Sequence, residues 1–428
     1  MTLKEELGYG LDALVLFRGL QQNPVIHALM EFCHADSSDL ANQIRTYSSI
    51  VAALYPATDN LTDYMEKIVL EEETVYVQRI GAGEAVSDAM KKCLETELHL
   101  LQKIAMLTSS QLQAEMPYFP DLPTWNNRKI DLAAAYHKRV ADIGKHGYGV
   151  YAQYHMFTLD ETGDIIPICY PDPIDLDHMV GYEQERNIVI DNTKALLNGK
   201  YAANVLLAGD AGTGKSATVK AIANAYREEG LRLIELTKDQ LRFIPRIMEH
   251  LCRNPLKFIL FIDDLSFASN DDNFAALKAI LEGGVGGRSH NVAVYATSNR
   301  RHLVKETMAD RSGDDLHAMD TRQELMSLSA RFGLTVTFQQ PDKDRYDRIL
   351  LELAKQLNCN KEVILGYRDV LFLNEEFAPY GEVVLATEDG SAGTKGNVID
   401  AIREHGLKAD VIFACGPTPM LRALQAYA

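Results

Sequence analysis

Eight residues, GDAGTGKS at 209–216, constrain the fold of this chain more than any other stretch. They fit the pattern GxxxxGK[ST], follow at once on the apolar run NVLLAG (204–209) and open the helical-period segment SATVKAIANAYREEG (216–230). A strand that breaks into a glycine loop and then a helix can turn its backbone N–H groups inward around phosphate, and the helix N-terminus adds partial positive charge. Gly209, Gly212 and Gly214 give the turn its freedom and Thr213 lies within it. Lys215 can reach the β and γ phosphates, and Ser216 can hold Mg2+. The expected ligand is MgATP, and the expected scaffold is a sheet whose strands feed helices.

The surrounding sequence has that texture. Apolar runs NVLLAG, LRLIEL (231–236), KFILFIDD (257–264), VAVYATSN (292–299) and LTVTF (334–338) alternate with helical segments. Five short buried strands separated by helices predict an α/β core, a five-stranded parallel sheet with helices on both faces. FILFIDD ends in Asp263 and Asp264: the first is the natural partner of Mg2+, and the second can polarise an attacking water as general base. Aspartate is one methylene shorter than glutamate, so slow hydrolysis is expected of such a base. Asn299, at the end of VAVYATSN, is expected between the two phosphate-binding strands, where it can orient the water or sense the γ phosphate. Arg331, in LSARFGLTVTF, precedes the fifth strand and is expected to point away from its own nucleotide toward that of a neighbour, where an arginine stabilises charge on the γ phosphate. An arginine acting in trans requires a homo-oligomer.

Residues 1–170 read as a mainly helical domain. LDALVLFRGL, NPVIHALMEF and AMKKCLETELHLLQKIAML carry apolar residues at helical spacing, EMPYFPDLPTW is a linker or rigid loop, and VYAQYHMFTLDETGDIIPICY (150–170) has the alternation of a β-hairpin around DETGD. Residues 171–345 form the expected ATPase core and 346–428 a third region. The 43 basic residues against 60 acidic ones leave a formal net charge of −17, which repels phosphate backbones and disfavours nucleic acid as a partner. The six cysteines (33, 93, 169, 252, 359, 415) include no CxxC pair and no Cys/His cluster, which argues against a disulfide framework and against zinc or iron-sulfur sites. MTLKEELGYG lacks an apolar signal core, and no window approaches about eighteen uninterrupted apolar residues, so a soluble, cytoplasmic protein with no membrane partner is expected.

Together, the phosphate loop, acidic strand end, polar strand end and Arg-Phe pair resemble the AAA+ ATPases. The phrases DHMVGYEQERNIVIDNTKALLNGKYAANVLLAGDAGTGKSATVKAI, FILFIDDLSF and VYATSNRRHLV further resemble a bacterial AAA+ family known only as an ATP-binding protein of unknown function. That resemblance covers residues 1 to about 350. It implies that MVGY (179–182), with Val180 and Gly181, lies near the adenine, that Asp264 is typical of the family, and that ATP turnover is coupled to an unknown client.

PDKDRYDRILLELAKQL (341–357) begins as the lid helix of such an ATPase should, but the sequence then changes character. LLELAKQLNCNKEVILGYRDVLFLNEEF, ATEDGSAGTKGNVIDAI and VIFACGPTPMLRALQAYA resemble the NAD-binding part of the electron-transfer subunit of dihydroorotate dehydrogenase, a ferredoxin-reductase-like flavoprotein. The chain reads as a chimera joined within 348–358. This resemblance implies a partial α/β fragment in which Gly366, Arg368, Thr387, Asp389, Gly390, Cys415, Gly416, Pro417 and Met420 border a dinucleotide. The flavin barrel that should precede the fragment is missing, and the sequence stops at Ala428 before the cysteines that would hold an iron-sulfur cluster, so neither FAD nor a cluster is expected, and NAD is the weaker cofactor expectation. Three functions therefore compete: an AAA+ ATPase, an NAD-linked electron-transfer protein, and a nucleotide-gated binding module with little turnover.

Overall fold

Helix starts along the N-terminal region are written in the sequence as capping side chains. In the computed structural model, Thr2, Asn23, Asp39, Asn60, Thr74, Ser87, Thr108 and Asp131 each accept a backbone N–H of the helix they precede. Each such cap is worth about 1 kcal/mol. The structure describes residues 2–116, 121–265, 290–299, 331–342, 363–368, 374–408 and 418–427, with a few isolated positions between them.

The chain divides into two compact units. One comprises Met1–Ile174, Ile188–Ala208 and Gly214–Val336, the other Asp175–Asn187, Gly209–Thr213 and Thr337–Ala428.

In the first unit, the capped helices bury one apolar stripe each. The helix Asp88–Ala105 contributes Leu94, Leu98, Leu101 and Ile104 at three- and four-residue spacing to a core shared with Phe17, Phe32, Tyr47, Leu54 and Tyr136. Glu97 breaks the stripe yet is only 6% exposed. Its carboxylate accepts the backbone N–H groups of Val15 at 2.8 Å, Leu16 at 3.1 Å and Phe17 at 2.9 Å, so the burial is compensated by hydrogen bonds. The proline-rich loop is anchored at its described end: the Trp125 indole stacks on Tyr47 at 5.8 Å and donates to the Leu107 carbonyl at 2.8 Å.

Among the described residues, seven strands form the main sheet: β1 (Met156–Leu159), β2 (Ile165–Pro167), β3 (Val205–Gly209), β4 (Leu231–Leu236), β5 (Lys257–Ile262), β6 (Val292–Ser298) and β7 (Leu334–Phe338), in the order β2-β1-β4-β5-β6-β3-β7. The strands lie in the first unit apart from Gly209 and the last two residues of β7. All five expected strands are present, and β4–β5, β5–β6 and β6–β3 pair in parallel. The expectation of five strands is corrected by the hairpin. Instead of merely closing the helical region, β1 pairs in parallel with β4, and β2 pairs antiparallel with β1. The physical reason is that β4 would otherwise present an edge of unpaired backbone N–H and C=O groups, which the β1 backbone pairs, while Phe157 and Leu159 join the apolar core of the sheet. One face of the sheet packs Leu206, Ile234, Phe258, Leu260 and Val294 against Ile244, Ile247 and Leu251 of the helix Ile244–Leu251. On the other face the Tyr295 hydroxyl meets Asn192 at 3.0 Å and Thr193 at 2.8 Å.

In the second unit, β8 (Val363–Tyr367), β9 (Val383–Thr387) and β10 (Thr394–Lys395) pair in parallel in the order β10-β9-β8. Val384, Ala386 and Ala401 form one small core, and Val398, Ile402 and Leu424 another. The strand expected at 409–416 lies largely outside the described residues, as do Cys415, Gly416, Pro417 and most of the junction at 348–358.

Candidate functional site

At the end of β3 the backbone of Gly209 has φ 142°, and a Cβ there would stand 1.9 Å from the Phe338 carbonyl oxygen. Only glycine fits that approach. The loop continues within the second unit: the Asp210 N–H donates to the Phe338 carbonyl at 3.1 Å, the Asp210 carboxylate accepts the Gln340 N–H at 2.8 Å, and the Thr213 hydroxyl donates to the Asp210 carbonyl at 2.9 Å. Gly212 and Gly214 have φ 79° and 81°, left-handed values that glycine adopts without strain. Gly214 then caps the helix Lys215–Ala225, whose first residue, Lys215, is 5% exposed. The strand, glycine loop and helix expected from the motif are all formed.

In the first unit, Ser216, near the start of that helix, faces the ends of β5 and β6. Asp263 and Asp264 follow directly on β5, and both are exposed. Two hydroxyls converge on one oxygen of Asp263: Ser216 Oγ and Thr297 Oγ1 each donate to Oδ1 at 2.6 Å. Asp264 has φ 50°, a left-handed conformation uncommon outside glycine, which aspartate adopts more readily than most residues. Its N–H donates to Thr297 Oγ1 at 2.9 Å and to Asp263 Oδ1 at 3.1 Å, and its carboxylate Oδ1 accepts from Asn299 Nδ2 at 2.9 Å. The structure thus brings Ser216, Asp263, Asp264 and Asn299 together across 83 positions of sequence, from 216 to 299. β6 lies between β5 and β3, the location expected for Asn299. The contact Asn299 makes, however, is with the Asp264 carboxylate.

These donors suit magnesium. A hydroxyl and an exposed carboxylate are hard oxygen ligands, and Mg2+ is usually held by one or two such groups with phosphates and water filling the remaining positions. No group of three or more His, Cys, Asp or Glu able to hold a metal occurs among the described residues, so a metal caged wholly by such side chains is not part of the described site.

Arg331 sits half-buried in the turn ahead of β7. The first residue of β7, Leu334, bonds through its N–H to the Asn204 carbonyl just before β3, which puts Arg331 at the N-terminal ends of the strands. Asp263, Asp264 and Asn299 are at the C-terminal ends. Five residues of strand separate the two ends by about 17 Å.

In the second unit, Val180 and Gly181 lie in the bend ahead of Glu183, where Gly181 has φ 73°. The buried Arg186 guanidinium donates to the carbonyls of Gly181 and Met179, and burial pulls its pKa down. Tyr182, at φ 59°, donates to the Gln339 carbonyl at 2.6 Å and carries the Arg345 guanidinium 4.9 Å above its ring. In the C-terminal sheet, a Cβ on Gly366 would meet Val398 at 2.7 Å, and the Asp389 carboxylate takes the Ser391 hydroxyl at 2.7 Å, which holds its pKa down.

Sequence reasoning missed Thr297 and Arg186. The signal for Thr297 was available: it lies two residues before Asn299, and alternate residues of a strand share a side. Nothing local marks Arg186, whose role depends on carbonyls that only the folded turn brings to it.

A family model described as "Protein of unknown function (DUF815)" matches residues 152–366, half of the chain. The C-terminal region is similar to "Dihydroorotate dehydrogenase B (NAD(+)), electron transfer subunit" from Geobacillus sp. (strain WCH70), 52% identical over 82 residues, and from Geobacillus thermodenitrificans (strain NG80-2), 49% identical over 80 residues. These matches cover 18% of this chain and 32% and 31% of the two relatives, so the chain spans about a third of their length. Among solved structures, the Thermotoga maritima RuvB Holliday junction branch migration motor aligns with 45% of this chain and 56% of its own at 16% identity and a TM-score of 0.29, a correspondence too slight to build on.

Proposed function

The chain belongs to the family described as protein of unknown function (DUF815), and from that premise we propose that it is a P-loop ATPase of the AAA+ type that binds and hydrolyses MgATP. The observation that carries this reading is the 2.6 Å contact between Ser216 on the phosphate-loop helix and Asp263 at the end of β5. It joins the residue that ends the loop motif to the acid that a triphosphate's metal requires.

In this reading Gly209, Gly212, Thr213 and Gly214 shape the loop, and Lys215 neutralises charge on the β and γ phosphates. Ser216 and Asp263 hold magnesium, which when bound screens the phosphate oxygens and orients the γ phosphate. Asp264 takes a proton from the attacking water, and Asn299 fixes the direction of that carboxylate. Val180 and Gly181 are proposed neighbours of the adenine. Arg331, at the far end of its own strands, is proposed to serve the nucleotide of an adjacent copy in a homo-oligomer.

Replacing Asp264 with Asn separates binding from chemistry. The expected outcome is ATP affinity close to native with phosphate release lowered about a hundredfold or more. An Asp264→Asn protein that hydrolyses at the native rate removes the base from this reading.

A second reading draws on the C-terminal similarity: Gly366 and Arg368 flank the last residue of β8, and Thr387 and Asp389 lie at and just beyond the end of β9, where they would border a dinucleotide. Saturable NAD(H) binding, lost on Arg368→Ala, would favour it as an additional property of the same chain.

A further inference from the structure

Building on the ATPase reading of this site, we propose that Thr297 is its positioning residue: one hydroxyl sets the strained turn that aims the Asp264 carboxylate at water. Thr297 is 2% exposed, and its polar groups hold three consecutive residues. Oγ1 donates to Asp263 Oδ1 at 2.6 Å and accepts the Asp264 N–H at 2.9 Å, while the Thr297 carbonyl accepts the Leu265 N–H at 2.7 Å. The parallel ladder between β5 and β6 ends one step earlier, at Ile262 opposite Ala296. The left-handed conformation at Asp264 therefore begins where the regular ladder stops, and the threonine replaces the missing rungs.

The chemistry calls for a hydroxyl. It must donate to a carboxylate and accept an amide at once, which a hydroxyl can do and a methyl cannot. Without it, Asp264 loses an N–H partner that helps hold φ at 50°, and the turn can relax toward the right-handed region that non-glycine residues prefer. The carboxylate would then swing away from its set direction. Asp263 keeps its other hydroxyl partner, Ser216, so the loss falls on the chemical step more than on nucleotide binding.

The test compares Thr297→Val, which keeps the shape, with Thr297→Ser, which keeps the hydroxyl, in the full chain. Hydrogen exchange of the Asp264 amide is followed without nucleotide. Phosphate release and binding of a fluorescent ATP analogue are followed with Mg2+. Thr297→Val is expected to exchange at Asp264 about tenfold faster and to lose at least about tenfold in kcat, with analogue Kd within about threefold of native. Thr297→Ser is expected to stay within about threefold of native on every readout. Unchanged exchange in Thr297→Val overturns the proposal, as does a Thr297→Ser protein damaged as badly as Thr297→Val, because that would point to methyl packing. If the native chain releases no phosphate, the ATPase reading fails separately, and the exchange comparison still decides whether Thr297 sets the turn.

Discussion

At Gly209 and Glu97 single residues meet demands that their neighbours in sequence do not reveal. A methyl group on Gly209 would collide with the Phe338 backbone at 1.9 Å, so Gly209→Ala is expected to abolish nucleotide binding, as titration with a fluorescent ATP analogue would report. Glu97→Ala would strip the acceptor from three backbone N–H groups and is expected to cost about 3 kcal/mol, visible as a lower urea midpoint. A midpoint within error of native would mean that water replaces the carboxylate. The thiols offer a chemical check on burial: desolvation pushes Cys33 up to about 12, whereas Cys169 and Cys252 are exposed. A thiol with a raised pKa stays protonated and unreactive at pH 8. Iodoacetamide followed by peptide mapping should therefore label Cys169 and Cys252 but spare Cys33 in the native protein. The phosphate-loop residues and both aspartates were legible in the sequence because their chemistry is local: a fixed spacing, a strand before, a helix after. Thr297 and Glu97 were not, because Thr297 acts on residues 33 and 34 positions away and Glu97 on residues about 80 away.

Secondary-structure elements were more legible than their partnerships. The five apolar runs became five strands because each is short and bounded by polar or glycine residues, β3 to β6 being buried on both faces and β7 on one, and the caps at Thr2, Asn23, Ser87 and Asp131 mark helix starts that survive folding. Alternation in VYAQYHMFTLDETGDIIPICY foretold a hairpin but not its neighbour, since nothing in that stretch records that β4 has an edge to cover. The short strand β10 escaped notice because two residues carry no periodicity. The hairpin's role is testable through Phe157, which is fully buried and lies 5.1 Å from the Tyr151 ring. Phe157→Ala is expected to destabilise the sheet by about 3 to 5 kcal/mol. If calorimetry instead gives an unfolding profile unchanged from native, the hairpin is an appendage and not part of the sheet's core.

For the whole molecule, the sequence records two ancestries, and the similarities bear out both: one family model over residues 152–366 and a separate likeness to a flavoprotein subunit at the C-terminus. Among the described residues, no helix is long and apolar enough to cross a membrane. How many copies assemble is not written in one chain, but Arg331 supplies a test, because it lies at the opposite strand ends from Asp264. Arg331→Ala and Lys215→Ala proteins, each inactive alone by about a hundredfold or more, should recover turnover when mixed if the arginine acts on a neighbour's nucleotide. Mixtures no better than their parts would confine Arg331 to its own subunit or to the surface. The central claim, that Lys215, Ser216 and the two aspartates form an ATPase centre, is tested most directly by steady-state phosphate release from MgATP, native chain against Lys215→Ala. The account predicts turnover that saturates with ATP and falls about a hundredfold in the variant. Phosphate release that is absent from the native chain, or that is indifferent to the lysine, would contradict it.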